Sequence, residues 1–144
     1  MAFDFVFLTA DFYRDHAHCS EIESKQNRPH VRILVQVNSL WFAIPFRSNI
    51  KHPHAFITDV QSGGGIDYSK AVVLRDIGRY VDTNRRPRIR QNEFNALRGK
   101  DNIIESGLLK YIRQYKKALE HPDIPRNRML LMYSTLQYFP EVLA

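Results

Sequence analysis

Val31-Arg32-Ile33-Leu34-Val35-Gln36-Val37-Asn38-Ser39-Leu40-Trp41-Phe42-Ala43-Ile44-Pro45 is the stretch on which the fold turns. Val31, Ile33, Val35 and Val37 alternate with Arg32, Leu34, Gln36 and Asn38, the period of a strand with one buried face. Asn38-Ser39 separates this run from a second β-rich run, Leu40 to Ile44, which Pro45 is expected to end. The pair reads as a β-hairpin, and a hairpin this apolar needs further strands or helices to cover it.

Working outward, Phe3 to Leu8 reads as a strand, and Thr9 as the cap of a short helix through Ala10, Asp11, Phe12 and Tyr13. His18 to Pro29 is polar and aperiodic, hence a loop. Beyond the hairpin, Ala55 to Thr58 is a short strand, Gln61 to Gly65 a flexible loop, and Tyr68 to Leu74 a further strand. The period then changes. Ile104, Leu108, Tyr111, Ile112, Tyr115 and Leu119 recur three and four apart, one face of an amphipathic helix that stops before Pro122. Gly107 inside it costs about 1 kcal/mol relative to alanine. Asn92 to Leu97 and Arg128 to Phe139 read as additional helices. The expectation is one α+β domain over residues 1–144, its mostly antiparallel sheet mainly in 3–75 and its helices mainly in 92–139.

Composition narrows the function classes. The chain has 144 residues, 44% hydrophobic and 12% aromatic, enough for a packed core. Its formal charge of +6 suits a polyanionic partner, although a basic balance alone is common in small proteins. A single cysteine, Cys19, excludes an intramolecular disulfide scaffold. The opening residues lack a basic region and carry Asp4 within their apolar run, unlike a signal peptide. No run approaches the ~18 apolar residues of a membrane span. A cytoplasmic protein with no membrane partner is expected.

Two polar clusters adjoin hydrophobic strands. The first is Pro45-Phe46-Arg47-Ser48-Asn49-Ile50-Lys51-His52-Pro53-His54; the second is Gly65-Ile66-Asp67-Tyr68-Ser69-Lys70. Strand ends on a rigid sheet are where catalytic groups usually lie, but solvated loop residues are an equally ordinary reading. Neither cluster forms a serine-hydrolase elbow or a glycosidase carboxylate pair, and Gly63-Gly64-Gly65 lacks the lysine of a phosphate-binding loop. His16, His18 and Cys19 lie close together but lack the two spaced ligand pairs of a zinc site, so no metal and no cofactor is expected. Arg85, Arg86, Arg88 and Arg90, around Pro87, lie on an extended segment suited to phosphate contacts, with Tyr68 and Tyr80 available to stack on bases. Lys110, Arg113, Lys116 and Lys117 read as the polar face of the long helix.

At these clusters the sequence resembles a known family. Trp41-Phe42-Ala43-Ile44-Pro45-Phe46-Arg47-Ser48-Asn49-Ile50-Lys51-His52 and Gly65-Ile66-Asp67-Tyr68-Ser69-Lys70-Ala71-Val72-Val73 resemble the TenpN toxins, of the ToxN, AbiQ and CptN group of type III toxin–antitoxin endoribonucleases. Phe5-Val6-Phe7-Leu8-Thr9 followed by Asp11-Phe12-Tyr13 fits the same branch, and the likeness extends over most of residues 3–120. The resemblance implies a metal-independent, sequence-selective ribonuclease on a highly twisted antiparallel sheet with flanking helices, similar to MazF/Kid toxins. It implies that the hydroxyl of Ser48 is required for activity and that a nearby lysine contributes, Lys51 being the closest match. Arg47 stands where ToxN-like members carry threonine, and Lys51 lies three residues beyond Ser48 rather than two, so Lys70 or His52 could share the role. The implied partners are a structured antitoxin RNA cut from a tandem-repeat transcript, a cellular RNA substrate, and a protein–RNA oligomer.

Residue chemistry points the same way. Cutting RNA without metal needs a base for the 2′-hydroxyl, an acid for the 5′-oxygen and cations on the phosphorane, acid–base help being worth roughly 10²–10⁴-fold. Ser48, Lys51, His52 and Lys70 are the candidate catalytic residues, with acid and base unassigned among them. Arg47, Asn49, Tyr68, Ser69, Arg85, Arg86, Arg88 and Arg90 are the candidate RNA-binding residues. The competing reading is a non-catalytic RNA- or DNA-binding module using the same surface. A metal-dependent nuclease is disfavoured, because Asp59, Asp67, Asp76 and Asp82 are scattered along the sequence.

Overall fold

In the computed structural model, residues 3–22 and 30–144 are described. The expected loop from His18 to Pro29 therefore falls partly outside the described residues. The hairpin forms from β2 (Arg32–Val37) and β3 (Leu40–Arg47), paired from Arg32↔Pro45 to Val37↔Leu40. Asn38 and Ser39 both take positive φ, 51° and 66°, the left-handed pair that lets a two-residue turn follow the strand twist.

Pro45 does not end β3, which runs on to Arg47. The Phe46 amide donates to the Val31 carbonyl at 2.9 Å, toward β2. Amides alternate along a strand, so Pro45's missing donor falls on the opposite edge of β3. That edge is interrupted. β5 (Gly64–Asp67) pairs with it at Phe46↔Ile66 and Arg47↔Gly65, and β6 (Val72–Val73) at Phe42↔Val73 and Ala43↔Val72. Between β5 and β6 the chain loops out as a 3-10 turn, Tyr68–Lys70. The proline sits where the ladder has no partner to offer.

With β1 (Asp4–Val6) and β4 (Ala55–Asp59), the described residues form a six-stranded antiparallel sheet in the order β1-β2-β3-β5-β4, β6 lying beside β3. The molecule is thus α+β. Helix α1 (Ala10–Asp15) is capped by Thr9, whose hydroxyl accepts from the Phe12 amide. The short α2 (Ile77–Tyr80), α3 (Gln91–Leu97), the long α4 (Asp101–Glu120) and α5 (Pro125–Tyr133) follow. Ile104, Leu108, Tyr111, Ile112 and Tyr115 of α4 are buried with Ile33, Phe42, Ile44, Ile66 and Val72 of the sheet in one core. Among the described residues no helix is long and apolar enough to cross a membrane.

Several expectations are corrected. Leu119 is 43% exposed, and Ala118 takes the core position at that end of α4. Gly64 and Gly65 belong to β5 rather than to a flexible loop: a Cβ on Gly65 would collide with the Phe56 carbonyl of β4, so the strands approach only because the residue has none. Tyr68–Leu74 is not one strand but the 3-10 turn followed by β6. Arg128–Phe139 is not one helix. α5 stops at Tyr133, and 3-10 turns follow at Thr135–Tyr138 and Pro140–Leu143. The break is enforced at Ser134, whose buried hydroxyl receives the Tyr111 hydroxyl at 2.6 Å and the Leu136 amide at 3.2 Å. Tyr68 and Tyr80 are not free to stack on bases. Tyr68 is buried and donates its hydroxyl to the Ile104 carbonyl at 3.0 Å, and burial pushes that phenol up to about 12. Tyr80 is wedged edge-on against Phe12 and bonded to Asp15 at 2.7 Å.

Candidate active site

Beyond Arg47 the chain turns at Asn49, whose φ of 57° is left-handed. The Asn49 and Ile50 amides donate to the Ser62 and Gly63 carbonyls at 3.0 and 2.9 Å, pinning the segment as an irregular continuation of the sheet. The segment His52-Pro53-His54 then folds back so that the Tyr68 amide donates to the His54 carbonyl at 3.0 Å. Two clusters 15 or so residues apart in sequence thereby meet at one strand end, on opposite sides of β4 and β5.

Asp67 organises the junction. It is only 3% exposed, and it accepts from the Ser69 amide at 2.9 Å, the Ser69 hydroxyl at 2.6 Å and His52 Nε2 at 3.2 Å, with Arg47 at 3.8 Å. Burial works to raise its pKa, but the hydrogen bonds from His52 and Ser69, with the Arg47 guanidinium nearby, outweigh it and hold the carboxyl below its ordinary range. Asp67 belongs to the second polar cluster but is not among the candidate site residues of the sequence. The local signal was present, since an aspartate two residues before a serine at a strand end is a ready cap for a tight turn.

The state of His52 follows from its neighbours. The His54 amide donates to His52 Nδ1 at 3.0 Å, and an amide can only donate, so Nδ1 carries the lone pair and Nε2 the proton aimed at Asp67. The Ser69 hydroxyl also lies at Nε2, 3.3 Å away. Serine and aspartate on the same ring nitrogen do not make a nucleophilic relay, which needs them on opposite nitrogens. His54, behind this group and edge-on to Tyr111, is held below the ordinary histidine range by burial and by the neighbouring His52.

Ser48, Lys51, His52 and Lys70, the four candidate catalytic residues, line one cleft of about 270 Å³ together with Arg47, Asn49, Ser69, Asp67 and Tyr133. Ser48 and Lys51 are exposed. Lys70 is tied down, its ammonium donating to Glu21 at 3.2 Å and to the Tyr133 carbonyl at 2.8 Å. Thr135 donates its hydroxyl to the Ser69 carbonyl at 3.2 Å and to that of Ala71, bracing the 3-10 turn from below. Tyr68 is absent from the cleft, for the reasons given above.

Arg47 and Ser48 also border a second cleft of about 340 Å³, whose far wall carries Arg88, Ile89 and Arg90 with Glu93. The extended arginine segment is thus displayed as expected, and all four arginines are exposed. They are not equivalent. Arg85 is bonded to Asp82 at 2.8 Å and lies over the Phe7 ring, and Arg90 is paired with Glu93 at 3.2 Å. His16, considered as a metal ligand, is buried, stacked on Phe12 and bonded to the Phe12 carbonyl at 2.7 Å. Among the described residues no group of three or more His, Cys, Asp or Glu is placed to hold a metal ion. Comparison of the chain with protein-family models, curated proteins and solved structures returns no match.

Proposed function

We propose that the chain is a TenpN-type toxin: a metal-independent endoribonuclease of a type III toxin–antitoxin pair, built on a MazF/Kid-like sheet and acting in the cytoplasm. The observation that carries the reading is the convergence of Arg47, Ser48, Lys51, His52, Ser69 and Lys70, from two separate segments, on one cationic cleft. Arg47 and Lys51 hold the scissile phosphate, and the Ser48 hydroxyl donates to a non-bridging oxygen. An RNA 2′-hydroxyl that displaces the His54 amide gives its proton to His52 Nδ1, while Nε2–H stays on Asp67. The 2′-oxygen attacks phosphorus, and the departing 5′-oxygen takes a proton from the Lys51 ammonium. The products are a 2′,3′-cyclic phosphate and a 5′-hydroxyl. The adjoining arginine cleft receives the continuing strand, and a repeat-derived antitoxin RNA occupies both clefts and bridges protomers.

The test is induction in a bacterium without its antitoxin. Growth should arrest, Ser48→Ala should relieve the arrest at equal expression, and cleavage should survive excess EDTA. Equal killing by Ser48→Ala, or 5′-phosphate ends, defeats the reading. A non-catalytic RNA-binding module is favoured by one observation, that both ring nitrogens of His52 are already engaged. It predicts RNA binding that survives Ser48→Ala with no cleavage under any condition.

A further inference from the structure

Cations line the cleft, and so does Tyr133, an aromatic residue from the far end of the chain. Tyr133 ends α5, lines the same cleft as Arg47, Ser48, Lys51 and His52, and remains 49% exposed. An exposed tyrosine at a helix end is ordinarily only a surface residue. Here the backbone is anchored on its C-terminal side. The Tyr133 carbonyl receives the Lys70 ammonium at 2.8 Å, and the next residue, Ser134, is wholly buried and bonded to Tyr111. The residue is therefore anchored by its backbone beside the candidate catalytic groups, with half its surface open. The tyrosines closer to the motifs, Tyr68 and Tyr80, are packed and bonded elsewhere.

We propose that Tyr133 is a nucleobase platform: a base next to the phosphate held by Arg47 and Lys51 stacks on its ring. An aromatic face beside a cationic groove is the combination that holds single-stranded nucleic acid, the cations tracking the backbone and the ring taking a base of any identity. Stacking also unstacks the strand at that nucleotide, which frees the ribose to turn its 2′-oxygen in line with the 5′-oxygen. The proposal rests on the reading of the cleft as an RNA site, and it adds a ligand contact that the catalytic groups do not require.

The experiment uses Ser48→Ala protein, which blocks turnover, and two probes: a short oligoadenylate and the same ribose–phosphate strand without bases. Tyr133→Ala should weaken oligoadenylate binding by roughly 5- to 150-fold, the range of one base–aromatic stack, and leave the abasic strand unchanged. Tyr133→Phe should bind oligoadenylate like the parent, since the ring and not the hydroxyl is needed. Tyr133→Trp should bind as well and show fluorescence quenching by oligoadenylate but not by the abasic strand. Equal loss on both probes would mean that the side chain only shapes the path of the phosphates, and no loss on either would mean that the ring touches no base; each result overturns the proposal. If the parent binds neither strand, the RNA reading of the cleft fails instead, and the platform with it.

Discussion

Replacing Asp67 with asparagine removes one charge and almost no volume, so its effect isolates what the carboxylate does. In the parent, the carboxylate accepts two bonds from Ser69 and one from His52 while buried. Asparagine can keep the Ser69 bonds through its carbonyl oxygen, but as neutral bonds. Its NH₂ group then faces His52 Nε2–H, and the ring cannot shed that proton by changing tautomer because Nδ1 is occupied by the His54 amide. Nε2–H then keeps only the longer contact to the Ser69 hydroxyl, 3.3 Å away. Bonds to a charged group are worth about 1.5–3 kcal/mol, against about 0.5–1.5 kcal/mol for neutral ones, and all three bonds lose their charge. Arg47, 3.8 Å away and partly exposed, adds little. The expected loss is about 2–4 kcal/mol, which at typical urea sensitivities lowers the unfolding midpoint by about 1–2 M.

The pH dependence has a defined sign. The folded-state pKa of Asp67 lies below its ordinary value of 3.8, so its contribution is complete above that value and is lost as pH falls through the folded one. The gap between parent and Asp67→Asn should therefore be constant from neutral pH down to about 4 and narrow only in stronger acid. Cleavage by the variant should fall by roughly 10²–10⁴-fold, because the imidazole is no longer held or stabilised when it takes a proton. Urea unfolding monitored by Trp41 fluorescence at several pH values checks the stability. An unchanged midpoint at pH 7, or a gap that does not narrow in acid, would refute the assignment of Asp67 as the organising group.

Gly107→Ala should lose about 1–2 kcal/mol, although alanine is the better helix former, because its Cβ collides with the Tyr68 hydroxyl and drives it from the Ile104 carbonyl. In a Tyr68→Phe background the same change should cost less, since the closest contact is gone and only the ring carbons at 2.8 and 3.0 Å remain, and thermal unfolding of the four proteins of this cycle decides it. The paired change Arg86→Ala with Arg88→Ala should flatten the salt dependence of single-stranded RNA affinity by roughly 1.4 units, at about 0.7 per phosphate contact. Adding Arg85→Ala should change the slope less, since Asp82 and Phe7 already hold that side chain. Anisotropy titrations across a salt series measure both, and an unchanged slope in the double variant would remove the arginine segment from the interface.

What could be read from the sequence was whatever one element determines by itself. The hairpin announced itself through the alternation from Val31 to Val37, the cap at Thr9 through its hydroxyl, and α4 through its buried face. What could not be read was set by contacts between distant segments. Gly65 reads as flexibility, yet it is a strand residue because Phe56 comes so near. Val72 and Val73 read as the centre of a long strand, yet Thr135, more than sixty residues on, braces the turn that shortens it. The candidate site divides in the same way. Ser48, Lys51 and His52 were visible as a polar cluster at a strand end, and Asp67 as the cap of its own turn, whereas the bond from His52 to Asp67 and the place of Tyr133 depend on contacts that no local pattern reveals.

The bracing of the 3-10 turn also sets an order of events in time. Sheet strands β1 to β6 are complete in the sequence by Val73, whereas the carbonyl that holds Lys70 and the hydroxyl that holds the turn belong to Tyr133 and Thr135. A chain leaving the ribosome folds its earlier parts first. The sheet can therefore assemble while the cleft still lacks one wall and the turn its brace. A nascent chain would close the cleft only after the segment around Tyr133 has docked.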